Sequence, residues 1–252
     1  VPGSTTALRV RRTDGLVDLR AENVVLALGG GAPAYPDWVC PTAVSRGLVR
    51  HVFETSPEAG DSVAIIGGGI SAAHLALRHS RAGVRVHMVF RHDLREQSFD
   101  CHQDWMMTRD ASERTGFIPE RQLTFAGIDS FEERRDIIRR ERLAGTMPAS
   151  VSRGKNGLRY AIESGAVRHH KADVERMVIA GDGVSLTLTT GAEIHVDRVL
   201  LATGFSKKPP GAGLVERMVR KSGLELCSCG YPAPDKYLKW GDVYVAGALA
   251  EL

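Results

Sequence analysis

The feature that most constrains this chain is a run of three glycines at positions 67–69, which follows an apolar segment and precedes an alanine-rich one. The apolar residues Val63 to Ile66 predict a buried strand, and Ala73 to Arg81 predict a helix. Gly83 suits the end of that helix, and Val84 to Phe90 predict a second strand. A strand, a glycine turn, a helix and a second strand form a βαβ unit, which predicts an α/β chain with a parallel sheet.

The glycine turn has the form of a dinucleotide-binding turn. Gly67 permits the sharp bend, Gly69 leaves room for a pyrophosphate against the backbone, and Ala72 lets the helix pack closely on the strand. Phosphate oxygens would bind the unpaired amides at the helix N-terminus, where the helix dipole favours negative charge. The predicted pyrophosphate site comprises Gly67, Gly68, Gly69, Ile70 and Ser71.

The end of the second strand indicates which dinucleotide is bound. NAD sites usually carry an acidic residue there, roughly 20 residues after the turn, which accepts hydrogen bonds from the adenosine ribose. Arg91 occupies this neighbourhood, and its planar guanidinium suits the additional 2′-phosphate of NADP, with His92 as a helper. The pattern favours NADPH. In the alternative interpretation Arg91 is an exposed arginine at a strand end, and Asp93 binds the ribose as in NAD sites.

The composition describes an ordinary globular chain and excludes several other classes. With 252 residues, of which 43% are hydrophobic, the chain can bury a core without disulfides or metals. The net charge of +3 is small, so we expect neither a nucleic-acid partner nor a membrane partner. The arginines of segment 131–143 alternate with acidic residues, which predicts a helix with a solvated, charged face. No apolar run approaches the roughly 20 residues of a membrane span, and no signal peptide is recognisable, so we expect a cytoplasmic location.

The cysteines and histidines predict neither a metal site nor a catalytic group. The four cysteines are too few and too irregularly spaced for a disulfide framework, and no Cys-x-x-Cys is present. Cys227 and Cys229 together with Cys101 and His102 lack the paired spacing of a zinc site, so no metal is expected. The sequence has no Ser-His-Asp pattern, and His169-His170 predicts a polar strand edge.

Further strands and helices flank the βαβ unit. Strands are predicted at 7–11, 16–20, 23–28 and 198–202, a β-meander at 174–179, 184–189 and 193–196, and helices at 131–143 and 158–164. Residues 99–127 fit no element and are interpreted as a lid or an insertion.

Two strands end in similar turns, Ala27-Leu28-Gly29 and Ala202-Thr203-Gly204, and these turns bracket the βαβ unit. In order and spacing, nearly the whole chain resembles flavoproteins with paired dinucleotide-binding domains. It is most similar to NADPH-dependent flavin monooxygenases, which include amine N-hydroxylases and Baeyer-Villiger enzymes. The resemblance implies that a first domain holds FAD, that a second holds NADPH, and that the chain passes between them through such turns. Thr203 and Gly204 are accordingly expected to contact the cofactor.

A second signature of that family has the form Phe-x-Gly-x-x-x-His-x-x-x-aromatic. Gly47 and His51 keep this spacing, but Ser45 replaces the phenylalanine and Thr55 stands at the aromatic position, with Phe53 nearby. The resemblance implies that His51 helps to organise the cofactor region. The alternative is a histidine in a connector between elements.

The expected FAD elements are incomplete. No GxGxxG turn precedes Ala27, and Gly247-Ala248 stands where the family has Gly-Asp. We therefore expect a fragment of a longer flavoprotein that needs the missing FAD-domain segments of its parent chain. The expected organisation is a Rossmann-like three-layer NAD(P)-binding domain at 41–205, with a β-meander, and strips of an FAD-binding domain at 1–40 and 206–252.

The expected function is NADPH binding for a flavin monooxygenase, in which NADPH reduces FAD before oxygen is activated on a small organic substrate. The cofactors carry such chemistry, so the chain needs no catalytic side chain of its own. The isolated chain is expected to be inactive. Two alternatives remain open: a flavin-dependent NAD(P)H reductase without oxygen chemistry, and a non-catalytic module that senses NADPH.

Overall fold

The structure is a computed structural model that describes residues 5–54, 60–97, 105 and 120–250. The chain forms two compact units. The first unit comprises residues 1–32, 107–140 and 206–252, and the second comprises 33–106 and 141–205. This division groups 107–140 with the first unit, whereas the boundaries expected from the sequence group it with the βαβ unit; those domain boundaries stay a prediction.

The described residues form an α/β arrangement, as the sequence predicts. The strands are β1 (Thr6–Arg12), β2 (Gly15–Ala21), β3 (Val25–Leu26), β4 (Val49–His51), β5 (Ser62–Ile66), β6 (Arg85–Val89), β7 (Arg95–Glu96), β8 (Thr146–Met147), β9 (Val167–His170), β10 (Val174–Ala180), β11 (Gly183–Leu188), β12 (Glu193–Val196), β13 (Arg198–Leu201), β14 (Lys239–Trp240) and β15 (Val243–Val245). The helices are α1 (Pro41–Ser45), α2 (Ile70–Arg81), α3 (Glu120–Ala126), α4 (Phe131–Glu141), α5 (Ala149–Ser152), α6 (Leu158–Glu163) and α7 (Ala212–Ser222), and a 3₁₀ turn follows at Gly247–Leu249. Residues 98–104 and 106–119, on which most of the expected lid or insertion falls, lie outside the described residues.

A five-stranded parallel sheet organises the second unit, with the strand order β4, β13, β5, β6, β9. Every residue of β5 is buried, which is typical of a central strand of a parallel sheet with both faces covered. Because successive side chains of a strand point to opposite faces, Val63 and Ile65 pack on one side, and Ala64 and Ile66 pack on the other.

Helices cover the face of the sheet to which Val63 and Ile65 point. Ala72, Ala73 and Ala76 of α2 are fully buried there, and their small side chains allow the helix to lie close to the strands. Leu158 of α6 joins the same apolar cluster. This arrangement confirms the close helix packing that Ala72 predicts.

The β-meander covers the opposite face. Strands β10, β11 and β12 pair antiparallel, and alternate residues of β11, namely Val184, Leu186 and Leu188, are buried against the sheet. The second unit therefore has three layers, helices, parallel sheet and meander, which confirms the expected Rossmann-like three-layer fold.

The first unit has a separate apolar core. Strands β14, β15 and β3 form a small sheet in which β15 runs parallel to β3, and β1 and β2 form an antiparallel hairpin. Trp240, Val243 and Val245 lie in the core together with Val215 of α7. The indole Nε1 of Trp240 donates a hydrogen bond to the carbonyl oxygen of Glu225 at 2.7 Å.

The expectation that the arginines of segment 131–143 lie on a solvated helix face is wrong for two of them. Arg134 is 1% exposed and Arg135 is 3% exposed. The guanidinium of Arg134 donates hydrogen bonds to three carbonyl oxygens, those of Ile128 (2.8 Å), Asp129 (2.9 Å) and Pro234 (3.0 Å). The arginine-rich helix therefore uses Arg134 to hold neighbouring loops, a role that depends on contacts distant in sequence.

Within the described part of the chain, no helix is long and apolar enough to cross a membrane.

Candidate nucleotide-binding site

The glycine turn joins β5 to α2 directly, as the sequence predicts. Gly67 has a φ of +132°, and its amide donates a hydrogen bond to the carbonyl oxygen of Val89 at 3.0 Å. A Cβ atom at this position would lie 2.5 Å from the carbonyl oxygen of Ala202. Only glycine fits, because both the backbone conformation and the close approach to the end of β13 exclude a side chain.

Gly68 is also sterically required, although its backbone conformation is ordinary. A Cβ atom there would lie 2.8 Å from Cδ2 of Phe90 and 2.9 Å from Cε1 of His92. The aromatic rings at the end of β6 therefore pack directly against the turn.

Gly69 differs from its two neighbours because a Cβ atom would fit there without a collision. A Cβ atom at Gly69 would meet Cα of Gly145 at 3.7 Å and the carbonyl oxygen of Thr146 at 3.9 Å, which are ordinary contacts. Gly69 is the N-cap of α2, no side chain caps the helix, and the first helical hydrogen bond runs from the Ala73 amide to the Gly69 carbonyl at 3.0 Å. The amides of the first helical turn, which include those of Ile70 and Ser71, have no intrahelical acceptor and suit a bound anion.

Sequence reasoning missed Gly145, which lies opposite the turn. Gly145 has a φ of +73°, and a Cβ atom there would collide with Nε2 of His92. Gly145 is distant from the turn in sequence. The only sequence feature that could have indicated it is the presence of a glycine between a helix and a strand. The Cα atom of Gly145 lies 3.7 Å from the position that a Cβ atom would occupy at Gly69, so the two stretches of backbone approach closely there.

Arg91, His92 and Asp93 lie together at the carboxyl end of β6. Arg91 is exposed, and its Nε lies 3.6 Å from Oδ1 of Asp173. Asp93 accepts hydrogen bonds from Nζ of Lys171 at 2.8 and 2.9 Å, and this hydrogen bond lowers the pKa of the Asp93 carboxyl. Both side chains are exposed, Arg91 at 78% and Asp93 at 84%, and each forms an ion pair, Arg91 with Asp173 and Asp93 with Lys171. His92 packs against Gly68 and Gly145, and its Nδ1 lies 2.8 Å from the Asp93 carbonyl oxygen.

Thr203 and Gly204 follow β13 and pair with a neighbouring loop. The Thr203 hydroxyl donates a hydrogen bond to the Ala34 carbonyl at 2.5 Å, and the Ala34 amide donates one to the Gly204 carbonyl at 3.0 Å. Gly204 has a φ of +76° and open space at its Cβ position. The structure therefore places these two residues at the same sheet edge as the glycine turn, since β13 is the neighbour of β5.

His51 is the last residue of β4 and lies in a small aromatic cluster. The ring centroids of Tyr35 and Phe53 lie 5.9 and 5.6 Å from its imidazole, and Phe53 stacks on Phe205 at 5.0 Å. His51 is fully buried; its Nδ1 accepts a hydrogen bond from the Phe53 amide at 3.4 Å, and its Nε2 has no hydrogen-bond partner among the described residues.

The surroundings of His51 favour its neutral form. Burial lowers the pKa of the imidazole, and the Gly204 backbone and the Glu54 carboxylate act in the opposite direction. The Tyr35 hydroxyl donates to the Glu54 carboxylate, and burial followed by this hydrogen bond raises the pKa of Tyr35 to about 12. His51 thus ends a strand of the main sheet, two strands away from β5.

Sequence reasoning also missed a histidine pair on β6 and β9. Nδ1 of His87 lies 3.0 Å from Nε2 of His170, and the two rings are stacked. His169 stacks on Phe90 with a centroid distance of 3.9 Å. Burial, together with the neighbouring His170 and two arginines, lowers the pKa of His87 to about 4.

The expected strand edge at His169-His170 is confirmed, because β9 is an edge strand of the sheet.

The described residues contain no group of three or more metal-binding side chains. Cys101 and His102, considered for a zinc site, lie outside the described residues. Cys227 and Cys229 are joined in a disulfide. The glycine turn, Arg91, Thr203 and His51 lie along the carboxyl edge of the parallel sheet.

Comparison with known proteins agrees with this geometry. Residues 154–206 match the sequence model of a family described as FAD-NAD(P)-binding. A search of curated protein sequences found no match.

Solved structures share the fold over almost the whole chain. The ornithine N-hydroxylase KtzI of Kutzneria sp. 744, in complex with reduced FAD, NADP⁺ and L-ornithine, has a TM-score of 0.67 at 18% identity, over 97% of this chain and 61% of its own. The ornithine hydroxylase PvdA of Pseudomonas aeruginosa has a TM-score of 0.64 at 20% identity, over 97% and 60%. A cysteine-to-serine mutant of the flavoprotein disulfide reductase RclA of Escherichia coli has a TM-score of 0.56 at 17% identity, over 96% and 43%. This chain spans 43–61% of the length of these three structures and has the fold of FAD/NAD(P)-binding flavoproteins.

Proposed function

We propose that this chain is the NADPH-binding portion of a flavin-dependent monooxygenase in which NADPH reduces FAD before oxygen is activated. The observation that carries the proposal is the N-terminus of α2 at Gly69, where no side chain caps the helix and the amides of the first turn lack intrahelical acceptors. A dinucleotide pyrophosphate has the charge and the size to bind the amides at this position.

The residues at the sheet edge fit NADPH in a defined order. The amides of Gly69, Ile70 and Ser71 hold the pyrophosphate, with Gly67 and Gly68 shaping the turn around it. Since β6 lies on one side of β5 and β13 on the other, the two ends of the dinucleotide extend over these neighbouring strands.

Arg91 lies at the β6 end and binds the 2′-phosphate of the adenosine half. It is exposed, and its ion pair with Asp173, at 3.6 Å, is longer than the ion pair of 2.8 Å between Lys171 and Asp93, the residue that would serve an NAD ribose. His92 packs beneath the turn and supports its shape. A phosphate bound by Arg91 gains a charge-assisted hydrogen bond that an NAD ribose cannot provide.

Thr203, Gly204 and His51 lie toward the nicotinamide half. The hydrogen bond of Thr203 to Ala34 fixes the turn after β13, and the neutral His51 supports the adjacent aromatic cluster. Bound NADPH supplies the hydride that reduces FAD, and the reduced flavin activates oxygen, so the chain contributes orientation and electrostatics.

FAD itself would be held largely by other parts of a longer parent chain, since no GxGxxG turn precedes Ala27. The missing FAD-domain segments are therefore the proposed partner of this chain, and a small organic molecule is the proposed substrate. We propose a cytoplasmic location, where NADPH is available.

Two alternatives follow from particular observations. The first is a flavin-dependent reductase without oxygen chemistry, because a solved disulfide reductase shares the fold. The TM-scores of the two hydroxylases are higher than that of this reductase, which supports the monooxygenase. The second is a non-catalytic NADPH-sensing module, which fits the incomplete FAD elements.

The test is calorimetric titration of the purified chain with NADPH, NADH and FAD in one buffer. We expect NADPH to bind, NADH to bind more weakly and FAD to give no signal. Tight FAD binding would contradict the proposal that this chain binds NADPH while other segments bind FAD. If none of the three ligands binds, the glycine turn has only a structural role. Addition of the parent's remaining FAD-domain segments should restore oxygen-consuming NADPH oxidation; NADPH oxidation without oxygen uptake would favour the reductase.

A further inference from the structure

Cys227 and Cys229 form a disulfide inside a short hairpin of the first unit. The Cys227 amide donates to the Tyr231 carbonyl at 2.8 Å, and the Gly230 amide donates to the Cys227 carbonyl at 2.9 Å. Gly230 has a φ of +84°, which lets the chain reverse at this point. Sequence reasoning found no role for these cysteines.

Backbone contacts close the hairpin on both sides of the disulfide. The residues next to the turn, Leu226 and Pro232, form an antiparallel bridge, and the Ala233 amide donates to the Glu225 carbonyl at 3.2 Å. The buried Trp240 donates to the same carbonyl and fixes the base of the hairpin to the core. These contacts define the conformation from both sides of the two cysteines.

A disulfide between these positions gives little of the usual stabilisation. A cross-link stabilises a fold mainly by restricting the unfolded chain, and the effect grows with the number of residues in the closed loop. Only Ser228 lies between the two cysteines, so the loop is about as short as a loop can be. Structural need therefore does not explain the pair.

The two sulfur-bearing residues differ in accessibility. Cys227 is 7% exposed, Cys229 is half-buried, and Ser228 between them is exposed. An attacking thiolate therefore reaches Cys229 more easily than Cys227. Such an asymmetry favours attack at one sulfur, Sγ of Cys229, while the sulfur of Cys227 leaves.

We propose that Cys227 and Cys229 are a redox-active pair that exchanges electrons with dithiols. A thiolate of the donor attacks Sγ of Cys229, the Sγ–Sγ bond breaks, and Cys227 leaves as a thiolate and takes up a proton. The second thiolate of the donor then attacks the donor sulfur of the mixed disulfide and releases Cys229, which is protonated in turn. The donor dithiol is oxidised to its disulfide, and the pair gains two electrons and two protons.

The first experiment measures the redox equilibrium of the folded chain. In a Cys40→Ser/Cys101→Ser background, the pair is equilibrated with mixtures of reduced and oxidised dithiothreitol or glutathione, and thiols are counted by alkylation and mass spectrometry. We expect two thiols to appear and disappear reversibly within the range of the glutathione mixtures, while the melting temperature changes by only a few degrees. A disulfide that opens only when the chain unfolds, or a pair that never oxidises, would overturn the proposal.

The second experiment tests which sulfur is attacked, and it does not depend on the equilibrium. In the same background, Cys227→Ser leaves Cys229 as the single thiol, and Cys229→Ser leaves Cys227. We expect the thiol of Cys229 to react with a water-soluble disulfide reagent at least tenfold faster than that of Cys227. Equal rates, or a faster Cys227, would contradict the assigned direction of attack, and circular dichroism of both variants checks that each is folded.

Discussion

Replacing Gly69 with valine should abolish NADPH binding and leave the chain folded. The backbone at Gly69 has a φ of −90°, which any residue adopts, and a Cβ atom there makes only ordinary contacts with Gly145 and Thr146. The valine methyl groups would instead fill the space over the amides of Ile70 and Ser71. Loss of two charge-assisted hydrogen bonds, at about 1.5–3 kcal/mol each, predicts a loss of about 3–6 kcal/mol, or at least 100-fold in Kd.

The neighbouring Gly67 provides the contrasting case. Its φ of +132° and the 2.5 Å approach of a Cβ atom to the Ala202 carbonyl make Gly67→Ala a folding defect. We expect the strained backbone to lower the free energy of unfolding by about 1–3 kcal/mol. The melting temperature should fall by about 2–4 °C for each kcal/mol lost. The substitutions at Gly69 and Gly67 thus distinguish a loss of NADPH binding from a loss of folding stability.

Calorimetry with NADPH and thermal unfolding are the two assays, and Gly213→Ala is the matched control. A Cβ atom at Gly213, in α7, meets only Nη1 of Arg217 at 3.8 Å, so this change should leave NADPH affinity unchanged and raise stability by about 1 kcal/mol or less. Unchanged NADPH affinity in a folded Gly69→Val chain would refute the assignment of the turn.

Three further predictions concern charged and polar groups. Arg91→Ala should weaken NADPH more than NADH by about 1–3 kcal/mol in calorimetry, and equal losses would place the selectivity elsewhere. Because burial and the neighbouring His170 lower the pKa of His87 to about 4, the unfolded chain takes up a proton at higher pH than the folded chain. Stability from urea titrations should therefore be lost as pH falls from about 6.5 toward 4, by at most about 1.4 kcal/mol per pH unit from His87. His87→Leu should make this dependence shallower, and an unchanged slope would assign it to other groups. Arg134→Met leaves the buried carbonyl of Pro234 and the part-buried carbonyls of Ile128 and Asp129 without their donor and should cost about 2–5 kcal/mol. The exposed Arg140→Met should change stability by about 0.5 kcal/mol or less, and similar effects of the two changes would mean that Arg134 is not a structural anchor.

Local patterns were sufficient to predict the turn and its two flanking elements. The strand at β5, the glycines and α2 follow one another without interruption, so apolar run, breaker and helix signals all fall within one short stretch of sequence. The meander was predictable for the same reason, because each pair of strands is joined by a short glycine turn, Gly181 to Gly183 in the first case.

Contacts between distant segments could not be predicted in this way. The burial of Arg134 depends on carbonyls of Ile128 and Pro234, and the pairing of His87 depends on β9 lying beside β6. Helical charge patterning predicts which residues share a face, but it does not show whether a loop will cover that face.

The order of strands explains why the candidate site residues come from four separate segments. β13 enters the sheet between β4 and β5, although it is the last of the five strands along the chain. Arg91, the glycine turn, Thr203 and His51 therefore follow one another along the carboxyl edge of β6, β5, β13 and β4. Neighbouring strands lie about 4.8 Å apart, so this row is about 14 Å long. A ligand that reaches from Arg91 to His51 must be extended and must cross the glycine turn about 5 Å from the Arg91 end and about 10 Å from the His51 end. An extended dinucleotide with its pyrophosphate over the turn would meet this requirement.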